Sequence, residues 1–232
     1  MKLCSILCSA WNMAPYTRQC LESLFRYTNY PFELLMLDNG STDGVTGQYI
    51  RELEPDTPFI RSYRPFFNTV NQGTTKAGNM MLREAAGDYL ALISNDIVFV
   101  GHWLDDIIAY LEENPDVSSV SPDWLSGDPE TFSERAEKRK ILTHELAEPG
   151  FMAAVFVMTR DCLNRVGWLD EQFEQAGWED RDYEMRMAQN GCKSVIYHRV
   201  VLYHYAMVTR KHFDSKYEAD NAYKFAKKYK LI

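Results

Sequence analysis

Leu3–Ala10 is a short, nearly unbroken apolar run, the pattern of a strand buried on both faces. From Pro15 to about Tyr27 the apolar spacing turns helical, with Tyr16, Cys20, Leu21, Leu24 and Phe25 on one side. Pro15 falls in the first turn, where its missing N–H costs nothing. Phe32–Leu37 predicts a second strand, closed by the turn cluster running from Asp38 to Gly44. A helix over 45–53 and a strand over 58–63 follow. Gln72–Ala86 is helical again through Ala77, Met80, Met81 and Ala85, and Gly87 is its stop. Asp88–Ser94 reads as a strongly apolar strand ending in Asn95-Asp96, before a helix over 102–113 and a short strand over 117–121.

Strands alternating with helices of this length predict an α/β fold, a mostly parallel sheet with helices on both faces. Residues 123–149 break the rhythm with Gly127, Pro129 and the charge run Ser133–Lys140, and read as a mobile excursion carrying one exposed helix. Apolar character returns over 151–158. A helix over 180–190, strand-like segments over 193–197 and 200–205, and an amphipathic tail helix over 215–230 complete the chain. In the tail helix Tyr217, Ala222, Tyr223, Ala226 and Tyr229 form the expected apolar side. The whole of 1–232 is expected to be one domain, with 1–122 and 150–232 as halves either side of the excursion.

Composition narrows the function classes. The 232 residues are 46% hydrophobic and 25% charged, so a sizeable core can be buried. The 33 Asp and Glu outnumber the 25 Lys and Arg, a net charge of −8 that argues against a general nucleic-acid or anionic-membrane binder. The Arg210, Lys211, Lys216, Lys224, Lys227, Lys228 and Lys230 cluster in the tail reads as solvated helix charge. No run approaches the roughly 18 apolar residues of a membrane span, so no stable membrane insertion is expected. The N-terminus has no small-residue cleavage site, and five cysteines without a CxxC pair suggest reduced thiols and a cytoplasmic setting. There is no GxGxxG after a strand, no GxxxxGK[ST] and no GxSxG, and His144-Glu145 lacks the second His of a zinc-protease helix.

In an open parallel sheet, ligands bind beyond the carboxyl ends of the strands. Three polar clusters fall there: Ser9-Ala10-Trp11-Asn12, Asp38 to Asp43, and Ser94-Asn95-Asp96. Their carboxylates and amides suit a base edge, ribose hydroxyls and a hard cation, which takes oxygen ligands and borrows some from substrate phosphates. Alone, each cluster has an ordinary reading: Trp11 as core, Asp38 to Asp43 as turn chemistry, Asn95-Asp96 as a cap. A second constellation, Gly177 to Arg186, sets three acids at a helix start, where they complement the helix dipole or supply a general base. Asp180 and Asp182 differ by two positions and cannot share one helical face. His198 and His204, six apart on a strand, are expected on the same side, and His204 is the better ligand candidate.

These residues resemble the inverting, nucleotide-sugar-dependent glycosyltransferases of family two, which have the glycosyltransferase A fold. Four segments carry the resemblance: SILCSAWN, LLMLDNGSTDG, NQGTTKAGNMMLREAAGDYLALISNDIVF and VGWLDEQFEQAGWEDRDYEMRMAQNG. It implies that 1–122 binds a nucleotide sugar and that 150–232 forms the acceptor half. Trp11 would stack on the nucleobase and Asp38 would bind its edge. Ala10, Asn12, Asn39, Ser41, Asn71, Lys76, Asn79, Ser94 and Asn95 would be the other donor-side residues. Asp96 would coordinate Mn2+ or Mg2+ bridging the diphosphate, with His204 completing the site. Asn95 stands where many relatives carry an acid. Asp180 matches the catalytic base, with Glu179 as the fallback. The implied partners are a nucleoside diphosphate sugar, with uridine diphosphate first by family habit, and a hydroxyl acceptor. From its composition and place alone, the excursion is expected to order over the donor or acceptor and exclude water. Two other readings remain open: a nucleotidyltransferase, against which SAWNMAPYTR offers no glycine loop, and a catalytically idle nucleotide-sugar or glycan-binding module.

Overall fold

The computed structural model describes residues 2–142, 146–206, 208 and 215–232. His144, Arg210 and Lys211 lie outside the described residues, as does the Lys216 side chain. The strands are β1 (Cys4–Ala10), β2 (Phe32–Asp38), β3 (Ile60–Phe67), β4 (Tyr89–Ser94), β5 (Ile97–Val98), β6 (Val117–Leu125), β7 (Ala147–Pro149), β8 (Val155–Thr159) and β9 (Lys193–His204). Among the described residues they make one nine-stranded sheet in the order β3-β2-β1-β4-β8-β6-β9-β5, with β7 paired to β9.

The pairing is parallel from β3 through β2 and β1 to β4, as the alternation in the first half predicts. The second half is mixed. β8 runs antiparallel to β4 and β6, because the chain leaves β6, makes its excursion and returns alongside it. β6 and β9 are parallel, and β5 and β7 are antiparallel to β9.

Helices cover both faces. On one side lie α1 (Ala14–Tyr27), α2 (Thr46–Glu52) and α4 (Leu104–Glu113); on the other lie α3 (Gly73–Glu84), α6 (Arg160–Val166) and α7 (Glu179–Gln189). The period-two alternation of a strand sorts the core between them. Leu34 and Met36 pack toward the first group, and Leu35 and Leu37 toward the second. Each fully buried aliphatic side chain of this kind contributes about 1.5–3 kcal/mol.

Residues 123–149 hold more structure than a plain loop. β6 runs on through Leu125, and α5 (Phe132–Leu142) packs Phe132 edge-on against Tyr203 of β9, with ring centroids 5.5 Å apart. Arg139 of α5 pairs with the buried Asp123 at 2.7 Å, and His198 Nδ1 meets the same oxygen at 2.9 Å. β9 is one continuous strand rather than two segments. Its register with β6 slips between Pro122 and Asp123, where Tyr197 and then Val201 are the partners. That slip interrupts the alternation on which a shared side for His198 and His204 depended. His198 is committed to Asp123, and His204 is not.

The tail forms α8 (Ser215–Lys228), and Tyr217, Ala222, Ala226 and Tyr229 of its expected apolar side are half-buried, but the most buried positions are others. Asn221 and Phe225 are buried, while Tyr223 is 59% exposed. The buried positions recur at i and i+4, so a polar residue sits on the inward face. Among the described residues, no helix is long and apolar enough to cross a membrane.

Candidate active site

The strand ends do converge. A cavity of about 630 Å3 opens beyond the carboxyl ends of β1 and β4, and Trp11, Asn39, Asn71, Ser94, Asn95, Asp96, Glu179, Asp180 and His204 all line it. Nine of the expected residues therefore meet around one space, drawn from both halves of the chain. Ala10, Asn12, Asp38, Ser41, Lys76 and Asn79 do not line it.

The loops after β1 and β2 are stitched together. The Asn12 N–H donates to Ser41 Oγ at 2.8 Å, and Asn12 Oδ1 accepts from the N–H groups of Thr42 and Asp43. Asn12 and Met13 both adopt left-handed backbone, with φ of 57° and 61°. The Ala10 carbonyl accepts from the Asn39 N–H. Asp38 is buried and turns inward, its Oδ1 accepting from the Ser41 N–H at 2.9 Å. It shapes the turn and is not among the residues lining the cavity. Gly40 is required there: it has φ of 78°, and a Cβ would stand 2.4 Å from the Val70 carbonyl carbon.

Asn39 is a hub. Its Nδ2 donates to Asn71 Oδ1, and its Oδ1 accepts from Asn68 Nδ2 and the Gln72 N–H. Asn71 Oδ1 also accepts from the Gly73 N–H, which leaves the Asn71 amide hydrogens as this hub's donors for a ligand. Two residues of α3 expected on the donor side lie away from the cavity lining. Lys76 is exposed, outside the cavity lining. Asn79 is buried and spends its amide on the backbone of Leu169, accepting at 2.8 Å and donating at 2.9 Å, and on Glu171. It anchors the 169–171 loop.

Asp96 and His204 meet through a strand the sequence did not announce. Antiparallel β5 sets Ile97 opposite His204, and the Tyr205 N–H donates to the Asp96 carbonyl at 3.1 Å. His204 Nε2 stands 3.2 Å from Asp96 Oδ1, and Trp124 makes a T-shaped contact with the imidazole, ring centroids 4.8 Å apart. Asn95 is committed elsewhere, donating through Nδ2 to Thr17 Oγ1 at 2.9 Å. Among the described residues, no group of three or more His, Cys, Asp or Glu is arranged to hold a metal.

Glu179 and Asp180 open α7 from the opposite wall. Thr74 of α3 reaches across: its N–H and its hydroxyl both donate to the Gln175 carbonyl, and Oγ1 lies 3.2 Å from Glu179 Oε1. Gly73 permits the approach, since a Cβ there would stand 2.7 Å from the Gln175 nitrogen. The second Glu179 oxygen is buried without a partner. Desolvation first, and the neighbouring Asp180 charge second, push the Glu179 carboxyl up to about 7. Asp180 accepts from the Arg181 N–H through Oδ1 at 2.8 Å. Sequence reasoning did not single out Thr74, Trp124 or Arg181. Thr74 lies inside a quoted segment, but nothing in its type marks a clamp.

Residues 5–173 match the sequence profile described as Glycosyl transferase family 2. The hyaluronan synthase of Pasteurella multocida is 24% identical over 227 residues, covering 81% of this chain and 22% of that protein. The chain spans less than half the length of the curated relatives it matches. Among solved structures it resembles the mannosyltransferase PcManGT from Pyrobaculum calidifontis in complex with GDP-Man and Mn2+, at a TM-score of 0.63 and 22% identity over 86% of this chain and 56% of that one. It also resembles S. aureus TarS 1–349 in complex with UDP-GlcNAc, at 0.64 and 18% over 88% and 58%. At these identities the likeness shows a shared fold, the glycosyltransferase A fold.

Proposed function

This chain belongs to glycosyl transferase family 2, and on that premise we propose that it transfers a sugar from a nucleoside diphosphate to a hydroxyl acceptor, with inversion at the anomeric carbon. The observation that carries the reading is the meeting of the Asp96–His204 pair and the Glu179–Asp180 pair across one cavity. One pair suits the leaving diphosphate, and the other suits the attacking alcohol.

The residues present fit a divalent ion. A carboxylate oxygen and an imidazole nitrogen 3.2 Å apart can both face one cation, and the mixed oxygen–nitrogen set suits Mn2+ at least as well as Mg2+. Two protein ligands are enough when phosphate oxygens and water supply the rest. When bound, the ion neutralises charge developing on the diphosphate. Asn95 is a neutral amide where many relatives carry an acid, and its Nδ2 secures the β4 end to α1 through Thr17. Among the described residues, Arg181 is the Lys or Arg side chain that lines the cavity.

Trp11 offers a flat face for the base, and Asp38 acts by shaping the loop that carries Asn39 and Ser41. The Asn71 amide and Ser94 are the nearby polar groups for ribose or phosphate. Asp180 takes the acceptor proton, and Glu179, with its raised affinity for a proton, is the second candidate. A uridine diphosphate sugar is the first donor to try. TarS was solved with UDP-GlcNAc, and PcManGT with GDP-Man.

A thermal-shift panel of UDP- and GDP-sugars, with and without manganese, tests this. A donor that binds the folded state raises the unfolding temperature, and it should do so only with the metal. No shift with any nucleotide sugar would remove the reading.

A further inference from the structure

Glu179 and Asp180 are delivered by an unusual stretch of backbone. Within 174–178, Gln175, Gly177 and Trp178 all take left-handed φ, at 57°, 104° and 73°. L residues disfavour that region, so the loop holds this shape only if its surroundings fix it. Thr74 supplies one restraint, from α3. The others come from α8.

We infer that Asn221 of α8 is a positioning residue for the Glu179–Asp180 pair, acting through the 174–177 backbone. Asn221 is fully buried on its helix. Its Oδ1 accepts from the Glu174 N–H at 3.2 Å, and its Nδ2 donates to the carbonyls of Glu174 at 2.8 Å and Gly177 at 3.0 Å. One amide therefore satisfies three backbone groups on the approach to α7. Buried backbone groups need such partners, and here the side chain also selects one loop conformation. One turn along α8, Phe225 packs on Trp178, with ring centroids 5.1 Å apart. Beyond the two carboxylates, Asp182 is fully buried and accepts from Tyr229 Oη at 2.8 Å, with Lys228 also against it. The C-terminal helix thus grips the chain on both sides of Glu179 and Asp180. Asn221 itself is absent from the cavity lining, so its effect passes through the loop.

The inference rests on the proposed function, and the experiment separates the two. The variants are Asn221→Ala, Asn221→Asp and, as a control on the exposed side of α8, Tyr223→Ala. Asp keeps the acceptor for Glu174 N–H but opposes two carbonyls, so it should behave like Ala. Release of nucleoside diphosphate from UDP-GlcNAc or GDP-mannose, measured with manganese, should show kcat at least tenfold lower in both Asn221 variants. The KM for the nucleotide sugar and the thermal shift with UDP and manganese should change less than twofold, and Tyr223→Ala should match wild type. A purely structural role would lower binding and turnover together, and wild-type kcat in both variants would equally overturn the inference. Amide exchange on the wild-type protein gives an arm independent of any variant: 174–178 should open together with α8, and independent opening would contradict the grip. If the wild type releases nucleoside diphosphate from no donor, the glycosyltransferase reading fails, and the exchange arm still tests the hold of α8 on 174–178.

Discussion

His204 Nε2 stands 3.2 Å from Asp96 Oδ1, one residue closing the long strand β9 and the other sitting in the turn after β4. The short antiparallel pairing of Ile97 with His204 creates the meeting, and the proposed metal site depends on it. Asp96→Ala should abolish manganese-dependent UDP binding. His204→Ala should raise the manganese concentration needed for half-maximal binding by at least tenfold. Calorimetric titration of manganese in the presence of UDP checks both, and an unchanged titration in either variant counts against the pair as ligands.

The opposite wall should affect chemistry rather than binding. Removing a general base costs about 10²–10⁴-fold in rate. Asp180→Asn should therefore retain the thermal shift with UDP and manganese. Joint loss of binding and folding would instead assign Asp180 to the scaffold. A larger rate loss in Glu179→Gln than in Asp180→Asn would exchange their roles.

Glu179 also makes stability depend on pH. Its carboxyl holds its proton up to about 7 in the folded chain, against an ordinary 4.5, so the folded state binds that proton more tightly than the unfolded state does. Its contribution is complete below about 4.5 and is lost as pH rises through 7. Wild type should lose about 1–3 kcal/mol relative to Glu179→Gln between pH 5 and pH 8, measured by urea unfolding. Parallel pH profiles for the two proteins would show that the carboxyl is not held in this way.

Asn79 makes the opposite kind of prediction. It ties α3 to the 169–171 loop and lines no part of the cavity. Asn79→Ala should lower stability by about 1–3 kcal/mol, the cost of leaving buried partners unmade, with nucleotide affinity unchanged. Weakened UDP binding in a stable Asn79→Ala protein would return it to the donor side.

Much of this was legible in the sequence for identifiable reasons. The runs over β1, β2 and β4 are buried on both faces, so their apolar patterns are nearly unbroken, with Ser5 and Glu33 the buried polar exceptions, and their polar ends mark the cavity. β5 was invisible because two residues carry no periodicity and its partner lies far along the chain. Asp38 and Asn79 lie off the cavity lining and hold loops, and a side chain that fixes a loop and one that touches a ligand look alike in one dimension. Asn221 escaped for the converse reason: it is a polar residue on the buried side of a helix, where patterning looks for apolar ones. The spacing from Tyr217 through Asn221 and Phe225 to Tyr229 was the available signal.

The central claim is tested most directly by release of nucleoside diphosphate from a nucleotide sugar, followed in manganese and then in excess chelator, for wild type and for Asp180→Asn. The account predicts turnover by wild type with manganese, its loss on chelation, and a rate at least a hundredfold lower in Asp180→Asn. Turnover that ignores both the chelator and the Asp180 substitution would contradict it.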